Sequence, residues 1–68
     1  MKVHEFLHDL YFDTEIRILD TQDNELDNVR AVDGSEKYDD SEIILTKAVG
    51  YNIIKIYIEA EEKENANN

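Results

Sequence analysis

The chain has no cysteine, few bases and no long apolar run. Each scarcity excludes something. Without cysteine there are no disulfides and no thiolate metal sites, which fits a reducing compartment. No run of 18 or so apolar residues occurs, so no segment reads as a membrane-spanning helix. Glu5 and Asp9 stand where a signal peptide would carry its apolar core, so a cytoplasmic protein is expected. No Asn-x-Ser/Thr sequon, phosphate-binding loop, dinucleotide motif or nucleophile elbow is present. A non-enzymatic protein without a cofactor is the resulting expectation.

The 68 residues suffice for one domain. A domain of about 60 residues buries only about 60% of its unfolded surface, so its margin of stability is thin. A partner subunit is one common remedy. Seven bases face 17 acids, for a net charge of −10. That balance disfavours nucleic acid as a direct ligand and favours basic partners.

The clearest structural signal is Asn52 to Glu59, where Ile54, Ile56 and Ile58 alternate with Lys55, Tyr57 and Glu59. Such alternation marks a half-buried strand. Val3, Phe6, Leu7 and Leu10 fall at i, i+3, i+4 and i+7, which predicts a short helix over Lys2 to Tyr11. Glu15 to Asp20 and Glu25 to Val32 read as strands joined by the polar turn at residues 20–24. Val29 and Ala31 would point inward from the second, with Leu26 near the turn. Glu42 to Ala48 is the third strand. Gly50, in the turn Val49 to Asn52, would supply the tight connection to the fourth. The expectation is an α+β fold: a short N-terminal helix packed on a four-stranded antiparallel sheet made of two β-hairpins. The domain would span 1–59, with a flexible polar tail over 60–68.

Charge is distributed unevenly. Residues 20–42 hold nine acids against Arg30 and Lys37, whereas 43–58 hold Lys47 and Lys55 and no acid. The nine are Asp20, Asp23, Glu25, Asp27, Asp33, Glu36, Asp39, Asp40 and Glu42. Alternate strand residues repeat at about 6–7 Å, close to phosphate spacing, so this flank could imitate a nucleic-acid backbone. The bland reading is a solvated charge run that blunts an edge strand. A second surface is the sheet face turned away from the helix, with Arg17, Arg30, Ile53, Lys55 and Tyr57, and with Leu19 beside them. It would serve as a partner site or as the seam of a homodimer. Its bland counterpart is a solvated face whose bases pair with Glu15, Glu42 and Glu59.

Two short patterns invite metal readings. His4-Glu5-Phe6-Leu7-His8 matches H-E-x-x-H, in which two histidines one helical turn apart hold zinc and the glutamate activates water. At about 100° per residue, however, His4, Glu5 and His8 lie more than a right angle from the apolar stripe. They face solvent, without a third histidine, which leaves at most a weak adventitious site at His4 and His8. Asp20, Asp23, Glu25 and Asp27 suggest a calcium loop, but the positions needing Gly and Glu hold Glu25 and Ala31.

The MKVHEFL helix, the TEIRILD strand, the acidic hairpin turn and the closing NIIKIYIE strand together resemble small phage or prophage proteins of low-GC Gram-positive bacteria. The resemblance spans about residues 1–59, in the order helix, hairpin, acidic linker, hairpin. It implies a small acidic interaction protein, in some cases an anti-CRISPR-like inhibitor that occupies the nucleic-acid site of a host nuclease. It carries no site residues over to this chain.

Overall fold

The computed structural model describes residues 1–59, so the tail expected at 60–68 lies outside the described residues. Helix α1 (Val3–His8) precedes strands β1 (Glu15–Leu19), β2 (Glu25–Arg30), β3 (Ile43–Gly50) and β4 (Ile53–Ile58). No helix among them is long and apolar enough to cross a membrane. The α+β class and the order of elements agree with the sequence reading.

The sheet departs from it. Its strand order is β2-β1-β4-β3. The two hairpins are antiparallel, but they meet through β1 and β4, which run parallel. The sheet is therefore mixed rather than wholly antiparallel. A parallel neighbour needs a long crossover, and residues 31–42 belong to it. They carry the chain from the β2 edge toward the β3 edge on the helix side. This linker is packed, since Ala31 and Ser35 are buried and Tyr38 rests against the core.

The core lies between the sheet and this layer of helix and linker. Val3, Ile16, Ile18, Ile56 and Ile58 are fully buried and Leu7 nearly so. Burying one such side chain stabilises the fold by about 1.5–3 kcal/mol. β4 is central, and its alternation divides its two faces: Ile56 and Ile58 face the core, while Ile53, Lys55 and Tyr57 are half-buried on the other side. Ile54 is half-buried, between the fully buried Ile16 and the exposed Ala48 across the sheet.

Three local expectations shift. The helix is shorter than its apolar stripe. Its last turn tightens, with Asp9 and Leu10 N–H donating three residues back to Phe6 and Leu7. β2 stops at Arg30 instead of Val32. The tight turn of the second hairpin rests on Asn52 at φ 63°, not on Gly50, which ends β3. Asn52 is suited to this left-handed conformation, and its side chain also fixes the neighbouring strand. Thr14 Oγ1 donates to Asn52 Oδ1 at 2.9 Å, and Glu15 N–H donates to the Asn52 carbonyl at 2.9 Å. The turn of one hairpin thus sets the start of β1 and the parallel register.

Candidate interaction surfaces

The nine acids of residues 20–42 divide into builders of the fold and exposed groups. Asp20 closes the first hairpin turn. Its Oδ1 accepts the N–H groups of Gln22 and Asn24, both at 2.9 Å, and its Oδ2 accepts the Asn24 amide. These bonds, led by that from the Asn24 backbone, hold its carboxyl below the usual range. Asp23 Oδ1 accepts a hydrogen bond from the Tyr57 hydroxyl at 2.8 Å. Asp27 faces the core side of β2, opposite Ile18, and accepts Ser35 Oγ–H at 2.7 Å. Asp39 Oδ1 accepts Ser35 N–H at 2.9 Å and folds the linker into one turn.

Gly34, at φ 70°, lets the chain pass that carboxylate. A Cβ at Gly34 would meet Asp39 Oδ2 at 3.1 Å. Glu42 pairs with the N-terminal amine at 3.1 Å, and Asp40 stands 3.8 Å from His4 Nε2. Glu25, Asp33 and Glu36 are exposed, and their carboxylates have no partner among the described residues. The strand-spaced ladder of carboxylates expected from the sequence shrinks accordingly. Only Glu25 and Asp27 lie on a strand, and Asp27 turns inward.

The face away from the helix is organised in rows, because residues paired across strands point the same way. Asn28, Arg17, Lys55 and Lys47 form the middle row. At about 4.8 Å between strands, its three cations span roughly 10 Å. Arg17 pairs with Glu15 at 3.1 Å. Lys47 and Lys55 have no ion pair among the described residues, and Lys47 Nζ stands 6.0 Å from the Tyr57 ring centre.

One flanking row holds Leu19, Tyr57 and Leu45, and the other Arg30, Glu15 and Ile53. Leu19 is buried, contrary to its expected place on an exposed face. Arg30 pairs with Asp13 at 3.3 Å, not with a glutamate across the sheet. The middle row therefore contains a residue outside the sequence-based set, Lys47. Counting the β3–β4 register outward from the turn was the signal that could have placed it opposite Lys55.

The H-E-x-x-H segment serves as a helix start. Glu5 Oε1 accepts the Lys2 backbone N–H at 2.8 Å, which holds this carboxyl below its usual range. His4 and His8 are exposed and border a shallow groove with Asp33 and Asp39. No three potential ligands converge on a metal position among the described residues. Comparison with family models, with curated proteins and with solved structures gave no match.

Proposed function

We propose that the protein is a non-enzymatic, phage-type interaction protein that binds a basic host protein through its exposed linker acids. A nucleic-acid-binding protein such as a defence nuclease fits best, because its anion site would accept the carboxylates in place of phosphates. The reading rests chiefly on one observation: Asp33 and Glu36 project into solvent with no partner among the described residues, while Asp27 and Asp39 are held internally. Asp40, exposed in the same linker, adds a third charge. The net charge of −10 supplies long-range attraction to a basic partner.

The test is capture from a bacterial lysate by the immobilised protein. A basic protein should be retained and released by a few hundred millimolar salt, since the screening length falls below about 8 Å there. Its own nucleic-acid binding should be lost while captured. Reversing Asp33, Glu36 and Asp40 to lysine together should abolish retention. Unchanged retention by that variant would overturn the mechanism.

A further inference from the structure

β3 is the longest strand and lies at one edge of the sheet. One of its sides pairs with β4. The other is covered only at its start, where Lys2 bridges to Glu42 and Ile43 N–H donates to the Met1 carbonyl at 2.9 Å. From Ile44 to Gly50, no second strand pairs with it among the described residues. Such an edge presents unpaired N–H and C=O groups that can template another strand. Thr46 and Ala48 pair with Ile56 and Ile54 on the core side of the sheet, yet are exposed. Leu45 is 50% exposed on the opposite face.

Lys47 sets the chemistry of an added strand. It ends the row Arg17, Lys55, Lys47, in which two like charges already stand side by side. Across strands, opposite charges stabilise and like charges repel. We infer that β3 binds an extended acidic segment of a partner protein as a fifth strand. A carboxylate would sit beside Lys47 on the open face, with an apolar residue beside Thr46 or Ala48 on the helix side.

A second copy of this chain fits less well, because antiparallel pairing of two such edges about their centre sets Lys47 against its equivalent. A nucleic acid offers no strand backbone to pair with the edge. The inference uses none of the acids invoked above, since Asp33, Glu36 and Asp40 lie in the linker and β3 itself carries no acid.

The probe is a fluorescent peptide of about ten residues that alternates valine and glutamate. Three comparators accompany it: a valine–lysine peptide, the same acidic peptide N-methylated at alternate amides, and a thymidine oligonucleotide of equal length. The acidic peptide should bind saturably below about a millimolar and protect the amides of residues 44–50 from hydrogen exchange. Lys47→Glu should weaken binding by about fivefold or more, and Lys47→Gln by less. N-methylation should abolish it. Circular dichroism checks that both variants fold.

Four results would each overturn the inference. These are no saturable binding, equal binding by the N-methylated peptide, preference for the lysine peptide or the oligonucleotide, and indifference to both Lys47 substitutions.

Discussion

Replacing Ser35 by alanine separates the acids that build the fold from those available to a partner. Ser35 is 1% exposed. Its Oγ donates to Asp27 Oδ2 at 2.7 Å and accepts Tyr38 N–H at 3.3 Å. A hydrogen bond to a charged group contributes about 1.5–3 kcal/mol. Ser35→Ala removes that donor and leaves Asp27 half-buried against the core side of β2, so a loss of about 2 kcal/mol is expected.

In a domain this small each kcal/mol lowers Tm by about 4–8 °C, so the midpoint should fall by roughly 8–16 °C. Thermal and urea unfolding, followed by circular dichroism, read this directly. Asp27→Ala and the double variant complete the cycle. If the two side chains act through each other, the double variant is little worse than either single one. Glu36→Gln, one residue along and exposed, should stay within about 0.5 kcal/mol of the parent. A Ser35→Ala loss below about 0.5 kcal/mol, additive with Asp27→Ala, would refute the structural role of Asp27. It would return that carboxylate to the set proposed for binding.

Two further expectations follow from side chains that hydrogen-bond within the fold. Asn52→Gly keeps the left-handed conformation and loses only the bonds to Thr14 and Asp13, whereas Asn52→Ala also carries about 1 kcal/mol of backbone strain. Urea midpoints should therefore rank parent above glycine above alanine, and the reverse order of the two variants would sink the assignment. Glu5, Glu15 and Asp20 have folded pKa values below their ordinary 4.5, 4.5 and 3.8, owing chiefly to the Lys2 N–H, the Asn28 amide and the Asn24 N–H. The unfolded chain takes up these protons first as pH falls. Their stabilisation is therefore whole above the ordinary values and is lost as pH drops through the folded ones. Unfolding free energy measured from pH 6 downward should decline below about 4.5, and Asp20→Asn should flatten the lower part of that slope.

Element type was legible in the residues because it depends on short-range periodicity. The i, i+3, i+4 stripe of α1 and the alternating isoleucines of β1 and β4 stand on their own. Which strand neighbours which does not follow from periodicity, because a strand buries the same face beside any partner. The usable hint was composition. β1 and β4 hold the four fully buried isoleucines and are central, and the polar β2 is an edge, whereas β3, apolar in composition yet exposed along most of its length, gave no such hint. The acids were visible as a run, but not their division. Whether a carboxylate closes a turn or faces solvent depends on backbone N–H groups brought round by the fold, as at Asp20 and Asp39. Lys47 became significant only once its register against Lys55 placed the two on one face.

The strand order separates the acids of β2 from the lysines of β3 and β4, while the linker acids run on to Glu42 beside the start of β3. Residues 20–42 carry nine acids and residues 43–58 carry none. Had β2 paired with β3, the acids would border the lysines, and cross-strand pairs would neutralise both. With β1 and β4 between them, β2 and β3 instead occupy opposite edges. The same order bears on self-association. A two-fold contact through the open face presses a patch against its own copy, and here the centre of that patch is Arg17, Lys55 and Lys47. Such a seam would bury like charges together, so charge disfavours it. Lys47→Glu and Lys55→Glu together remove the repulsion. If the parent chain is already dimeric in sedimentation and that variant is not, the charge argument fails. If the parent is monomeric, the open face is left for a different molecule.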